Sequence, residues 1–186
     1  VARRRPMNLR SAIHFAWLVP ALLLALPAPA DEGAGCIPGG DGRLQMTISG
    51  HFAAAVDWDN EGTTCAGGPR PGGEALRLMF NRPDESLLVV IGITGLERGA
   101  TGEGLPANLT VVREGRAEFF GTLGADACLV DVTENALVAG SADVYRVSGR
   151  GRCLAPIEAV AREGEIRISP FEFTGIAAWP LEDEAD

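Results

Sequence analysis

The segment that reads DWDNEG, at residues 57–62, concentrates the oxygen ligands that calcium prefers. An EF-hand loop takes ligands from positions 1, 3 and 5, has glycine at position 6 and closes with a bidentate glutamate at position 12. Asp57, Asp59 and Glu61 fill the first three of these positions, and a glycine follows them. The twelfth position is Gly68, which offers no side-chain oxygen. We therefore interpret the segment as a polar turn after a strand, with calcium binding by Asp57, Asp59 and Glu61 as the alternative.

Catalytic chemistry has few candidate residues in this chain. His51 is the only histidine beyond residue 30, and we expect it on the polar face of a strand. A Ser-His-Asp triad could be built only around it, and no serine stands in a G-x-S-x-G motif. A pair of carboxylates could still hydrolyse a glycoside, but the sequence does not show which of its 25 acidic residues face each other. The sequence thus favours a protein without catalytic activity and assigns no catalytic residue.

Two further polar patterns have structural interpretations. Residues 99–104 read GATGEG, which has the glycine content of a phosphate-binding loop but lacks its lysine and precedes a strand. Arg146, Arg150 and Arg152 lie on one face of one predicted strand. We expect these arginines to pair with acids on neighbouring strands, such as Glu165, with an anion site as the alternative.

Four cysteines, Cys36, Cys65, Cys128 and Cys153, indicate two disulfides if the chain is exported. Cys128 and Cys153 share the apolar faces of two predicted strands, so both side chains should point inward. Cys36 and Cys65 lie in glycine-rich irregular segments. We therefore predict the pairs Cys36–Cys65 and Cys128–Cys153. The spacing of the cysteines matches no zinc site.

Residues 1–30 have the order of a secretory signal peptide, with arginines first, an apolar run next and small residues at Ala28–Ala30. We expect cleavage after Ala30 and a periplasmic or secreted protein that has no transmembrane segment after cleavage. The absence of lysine beside abundant arginine and alanine indicates a GC-rich bacterial genome. A lipid anchor at Cys36 is the competing interpretation, which Gly33 disfavours because a lipobox needs an aliphatic residue there.

The rest of the chain is the size of one domain, which we place at residues 31–180, followed by an acidic, disordered tail at residues 181–186. The formal net charge of the whole chain is −9. It becomes more negative once the arginines of the signal peptide are removed. An acidic domain of this kind should bind neither nucleic acid nor an anionic membrane surface.

Alternating apolar and polar residues predict strands along most of the domain. The alternation over residues 44–58 predicts one long strand bent at Gly50. Strands at residues 75–80 and 87–93 should be joined by a turn that contains Pro83, and a hairpin should turn at residues 114–115. Pro156 and Gly164 suit the two ends of a short helix at residues 154–164.

The final strand pattern, over residues 165–179, changes phase at Ser169–Pro170, where we expect a bulge. About eight strands and no long helix predict an all-β fold. The architecture that we expect is an antiparallel two-sheet β-sandwich, and a closed soluble β-barrel is the alternative.

These features predict a disulfide-stabilised domain that acts by binding another envelope protein, a glycan or a small ligand. A small envelope hydrolase that uses paired carboxylates is the first alternative. An inhibitor of a secreted enzyme is the second. No cofactor is expected apart from the calcium considered above.

Overall fold

The computed structural model describes residues 35–71, 75–122, 124 and 126–180. The predicted signal peptide, residues 1–30, and the predicted acidic tail, residues 181–186, lie outside the described residues. Among the residues that are described, no helix is long and apolar enough to cross a membrane.

The described chain is nearly all-β and antiparallel, as predicted, with twelve strands rather than about eight. The strands are β1 (Arg43–Gly50), β2 (Ala54–Trp58), β3 (Thr64–Pro69), β4 (Ala75–Arg82), β5 (Leu87–Thr94), β6 (Gly102–Arg113), β7 (Glu118–Gly121), β8 (Cys128–Leu137), β9 (Val144–Cys153), β10 (Ile157–Ala159), β11 (Glu165–Ile168) and β12 (Phe171–Ala178). Two single 3-10 turns, Pro83–Glu85 and Glu114–Arg116, join β4 to β5 and β6 to β7. The β4–β5 hairpin and the β6–β7 hairpin, which contain these turns, lie where the sequence predicts them.

The strand pairing divides at the long strand β6. From one edge, strands β3, β4, β5 and β6 are neighbours in that order. The other edge of β6 pairs with β8 along its first half and with β7 along its second half. One path then runs from β7 through β10 to β11, and the other runs from β8 through β9 to β12. Both paths end at one edge of β1, whose opposite edge pairs with β2.

The prediction of a single strand over residues 44–58 is wrong, because β1 and β2 form a hairpin that turns directly after Gly50. Gly50 has a φ of +104°, a value that favours glycine. Leu44 lies opposite Trp58, and Met46 lies opposite Val56. Because paired residues face the same side of a sheet, the even-numbered residues stay inward on both strands. The alternation of apolar and polar residues therefore continues from β1 into β2, so the sequence pattern gives no sign of the turn between them.

The prediction of a helix at residues 154–164 is also wrong. Residues Ile157–Ala159 form β10, which pairs with β7 on one edge and with β11 on the other. Ile157 is fully buried. Distant parts of the chain thus provide this segment with two strands to pair with and with a buried site for Ile157. These tertiary contacts outweigh its local helix propensity.

The bulge predicted at Ser169–Pro170 is present between β11 and β12, because three steps along β1, from Gln45 to Ile48, face four steps from Glu172 to Ile168. The Ser169 hydroxyl accepts a hydrogen bond from the Thr47 N–H at 2.9 Å. Across the bulge, the buried positions change from the even-numbered Ile166 to the odd-numbered Phe171. This shift places the residue after Phe171 on the outer surface.

The two disulfides join the cysteines that the sequence pairs, Cys36 with Cys65 and Cys128 with Cys153. Cys128 and Cys153 lie directly opposite each other on β8 and β9. Cys36 and Cys65 attach the segment before β1 to β3. In the core, β12 packs against β3 and β4.

Candidate functional site

A row of five polar residues crosses the outer surface of five neighbouring strands. Each of the five residues lies directly opposite the next on the neighbouring strand. In the strand order β8, β9, β12, β1 and β2, they are Asp131, Arg150, Glu172, Gln45 and Asp57. Four of the five are flanked along their strands by buried side chains, so they face outward. Because neighbouring strands are about 4.8 Å apart, this polar row is about 19 Å long.

The residues at both ends of the polar row are hydrogen-bonded within the row or to nearby backbone. Asp131 accepts hydrogen bonds from the backbone N–H of Gly104 at 2.8 Å and from Nε of Arg150 at 3.1 Å. At the other end, Nε2 of Gln45 donates to Oδ1 of Asp57 at 2.6 Å. The side chain of Glu172, between these pairs, makes no hydrogen bond or ion pair with any described residue. The centre of the row therefore carries a free carboxylate.

The pKa of the Asp131 carboxyl is lowered from its ordinary value. The hydrogen bond from Gly104 is the largest cause, followed by the hydrogen bond from Arg150; partial burial acts in the opposite direction, and the charges of Arg150 and Arg152 add to the lowering. Asp131 is thus ionised near neutral pH. It fixes the position of Arg150 and is poorly suited to donate a proton.

Three surface clefts adjoin the polar row, and Glu172 lines all of them. The cleft over β8, β9 and β12, which we call the Glu172 cleft, has a volume of about 320 Å³. It is lined by Leu129, Asp131, Arg150, Gly151, Arg152, Pro170, Phe171 and Glu172. The second cleft, of about 270 Å³, lies further along β8, β9 and β12 and reaches Arg43 of β1. The third, of about 390 Å³, lies over β12, β1 and β2.

Gly151 belongs to the lining of the Glu172 cleft, and its lack of a side chain matters on the inner face of the sheet. A Cβ atom at this position would lie 2.7 Å from Cε2 of Phe171, which is too close for two carbon atoms. Because Gly151 has no side chain, the Phe171 ring can fill the space beneath β9. On the outer surface, the cleft has an apolar side, formed by Leu129 and Pro170, and a charged side.

A second polar cluster surrounds Glu118, whose side chain is only 8% exposed. Oε2 of Glu118 lies 2.7 Å from Nη1 of Arg113, and Oε1 lies 3.1 Å from Nη1 of Arg162 and 3.6 Å from Nε2 of His51. The guanidinium of Arg113 also stacks on the ring of Phe52, 4.5 Å from its centroid. Both carboxylate oxygens are thus occupied by groups of the protein itself.

The pKa of the Glu118 carboxyl is lowered despite its burial. Burial is the largest single influence and raises the pKa, but the charge and hydrogen bond of Arg113 and the charges of Arg162 and His51 together exceed it. The cluster ties the β1–β2 turn, the β6–β7 hairpin and the segment after β10 together. Sequence reasoning missed it because a charged residue occupies an inward position of β7.

The three candidate calcium ligands of the DWDNEG segment have different surroundings. Asp57 belongs to the polar row, whereas Asp59 lies 3.4 Å from Arg82. Glu61 is exposed, and its backbone carbonyl accepts a hydrogen bond from Arg82. In the described ranges, no group of three or more His, Cys, Asp or Glu side chains could hold a metal ion together.

Asn60, in the same segment, holds the chain that precedes β1. Its Oδ1 accepts hydrogen bonds from the N–H groups of Ile37 at 2.7 Å and of Gly42 at 3.0 Å. Its backbone carbonyl accepts a third from the N–H of Cys36. The segment thus acts as a turn that fastens the N-terminal part of the described chain.

Two arginines of β9 pair with acids on the neighbouring strand β8, as predicted, but not with Glu165: Arg150 pairs with Asp131, and Arg146 pairs with Glu134. Arg146 binds Asp41 at 2.6 Å and Glu134 at 3.1 Å. The predicted partner Glu165 instead pairs with Arg167 on its own strand. The third arginine, Arg152, is exposed and forms no hydrogen bond or ion pair with a described residue, although its charge acts on Asp131. The glycine-rich loop at residues 99–104 contributes its Gly104 N–H to Asp131.

No protein-family model, curated protein or solved structure matches this chain. Within the described chain, the two polar clusters differ in what they offer a ligand. The Glu118 cluster uses both of its carboxylate oxygens internally. The Glu172 cleft combines an apolar side with a free carboxylate and a free guanidinium. The Glu172 cleft is therefore the better candidate for a functional site.

Proposed function

We propose that the protein is a disulfide-stabilised binding domain that holds a small ligand in the Glu172 cleft and catalyses no reaction. The observation that carries this proposal is the free carboxylate of Glu172 in a cleft whose other acid, Asp131, is fully hydrogen-bonded. A free charge beside an apolar surface can orient a ligand without other changes in the protein. The polar end of the cleft would provide specificity, and Leu129 and Pro170 would provide apolar contact area.

We further propose that the protein is bacterial, that it loses residues 1–30 on export, and that it acts in the periplasm or outside the cell. Two disulfides fit such a compartment. We also propose that the strands form a two-sheet sandwich. The packing of β12 on β3 and β4 supports this architecture. One layer would hold β3 to β6, and the other would hold β2, β1, β12, β9 and β8.

A carboxylate-dependent hydrolase is the second candidate function. Asp131 and Glu172 line the same cleft from strands that are separated by one strand, which corresponds to about 10 Å between them. A glycoside hydrolase needs one carboxyl of raised pKa to protonate the leaving group. The lowered pKa of Asp131 disfavours this role for that residue. Binding without catalysis is therefore the stronger proposal.

The test is a screen of small polar compounds against the purified, ¹⁵N-labelled protein by two-dimensional NMR. We expect binders to shift the amide signals of Leu129, Gly151 and Phe171. Glu172→Gln should weaken these binders, whereas the matched control Glu85→Gln, on the exposed β4–β5 turn, should not. The proposal fails if no compound shifts the cleft signals, and turnover of a bound glycoside would favour the hydrolase.

A further inference from the structure

We infer that the Glu172 cleft recognises a compact zwitterion, namely a free α-amino acid with an apolar side chain. This inference rests on the proposed binding function. In it, the ammonium group of the ligand faces Glu172, the carboxylate faces Arg152, and the side chain lies on Leu129 and Pro170.

The charges of the cleft balance one another. Its lining contains two carboxylates, Asp131 and Glu172, and two guanidinium groups, Arg150 and Arg152. The pair of Asp131 and Arg150 is internally satisfied, with Nε and Oδ2 at 3.1 Å. One negative and one positive group remain for a ligand. A ligand with a single charge would leave one of them uncompensated, whereas a zwitterion matches both.

The spacing of the two free groups suits a short zwitterion. Arg150 lies directly opposite Glu172, and Arg152 is two residues further along β9. Arg152 and Glu172 are therefore diagonal neighbours, whose backbones are about 7–8 Å apart. They do not form an ion pair with each other. One compact ligand can therefore contact both side chains, with a charge-assisted hydrogen bond of about 2.8 Å to each. The adjacent ammonium and carboxylate groups of an α-amino acid meet this requirement.

The third recognition element is the apolar side of the cleft. Leu129 and Pro170 line it beside the charged groups. The volume of about 320 Å³ is at the lower end of the range for ligand pockets, which is about 300–1,000 Å³. A cleft of this volume has room for a ligand with one aliphatic side chain. Leucine is therefore a suitable probe.

The experiment compares four probes by NMR titration of the full protein: leucine, N-acetylleucine, leucinamide and 6-aminohexanoic acid. N-acetylleucine lacks the cation, leucinamide lacks the anion, and 6-aminohexanoic acid separates the two charges. We expect leucine to bind about threefold more tightly than each of the others, which is the effect of one exposed ion pair. The amide signals of Leu129, Gly151 and Phe171 should report the binding.

Two variants assign the charges. Glu172→Gln should bind leucine and N-acetylleucine equally, because the partner of the ammonium group is lost. Arg152→Gln should bind leucine and leucinamide equally, because the partner of the carboxylate is lost. Both residues are exposed and form no hydrogen bond or ion pair with a described residue, so melting temperatures should stay close to that of the unmodified protein. Glu85→Gln is the control that should preserve every preference.

Three outcomes would overturn the inference. The four probes could bind equally, the preferences could persist in both variants, or leucine could shift signals only outside the cleft. Binding of other library compounds in the cleft would then still support the proposed binding function. If no compound of the library shifts the cleft signals, both the inference and the proposed function fail.

Discussion

Arg150 lies directly opposite Glu172 on the neighbouring strand, yet its Nε donates to Asp131 on the other side, at 3.1 Å. Asp131 is the better partner because the Gly104 N–H already holds its other oxygen at 2.8 Å and so fixes its orientation. Glu172 is left free as a result. The state of the cleft thus depends on an acid that lies two strands away from Glu172.

The first prediction concerns this competition. Asp131→Asn removes the negative partner of Arg150, which should then turn toward Glu172. In the unmodified protein, Glu172→Gln should leave the Nε–H NMR signal of Arg150 unchanged. In the Asp131→Asn background, the same substitution should shift it. A shift of equal size in both backgrounds would mean that Arg150 is shared between the two acids.

The second prediction concerns acid stability. Because the folded-state pKa of Glu118 is lowered, this residue stabilises the fold at pH values above the ordinary pKa of glutamate. That stabilisation is lost as the pH falls through the lowered pKa of the folded state. Urea unfolding should therefore show a smaller loss of stability between pH 7 and pH 3 for Glu118→Gln than for the unmodified protein. The control Glu114→Gln, exposed on the same hairpin, should behave like the unmodified protein, and equal losses in all three proteins would contradict the prediction.

The third prediction concerns the disulfide between β8 and β9. Cys128 and Cys153 are 25 residues apart in the sequence. Replacing both with alanine should lower the free energy of unfolding by about 3–4 kcal/mol, because the unfolded chain gains the freedom of the opened loop. The double alanine variant of Cys36 and Cys65, which are 29 residues apart, should lose a similar amount. Urea titration measures both losses. A loss below about 1 kcal/mol would show that the disulfide does not stabilise the fold by restricting the unfolded chain.

The fourth prediction concerns Asn60 and the segment before β1. Asn60→Ala removes the acceptor of the Ile37 and Gly42 N–H groups and should cost about 1–2 kcal/mol of stability. Hydrogen exchange at these two amides should become faster. Asn60→Asp keeps an oxygen in the same place and should preserve their protection. If Asn60→Asp exchanges as fast as Asn60→Ala, the side-chain oxygen is not what protects them.

Much of the fold could be predicted from local pattern. The alternation of apolar residues predicts the all-β class, the phase change at Pro170 predicts the break before β12, and the turn residues predict two hairpins. The inward phase of Cys128 and Cys153 predicts their disulfide. These features are local because side-chain period and turn chemistry depend on neighbouring residues alone.

The candidate site could not be predicted in the same way. The five residues of the polar row that the Glu172 cleft adjoins are spread over residues 45–172, and only the pairing register of β8, β9, β12, β1 and β2 places them side by side. Register between distant strands is set by how the whole core packs, which no single segment encodes. The arginines Arg146, Arg150 and Arg152 indicated a polar surface on β9, but the sequence did not show which acids pair with them.

What the sequence by itself determined is the covalent and periodic frame: extended strands, their inward faces and the two cysteine pairs. Only the tertiary structure decided that residues 44–58 turn back on themselves, that Ile157–Ala159 joins a sheet, and that Glu118 points inward. The physical reason is that each of these outcomes depends on contacts from distant segments. Arg113 and Arg162 stabilise the buried charge of Glu118, and two strand edges stabilise β10 against a helix.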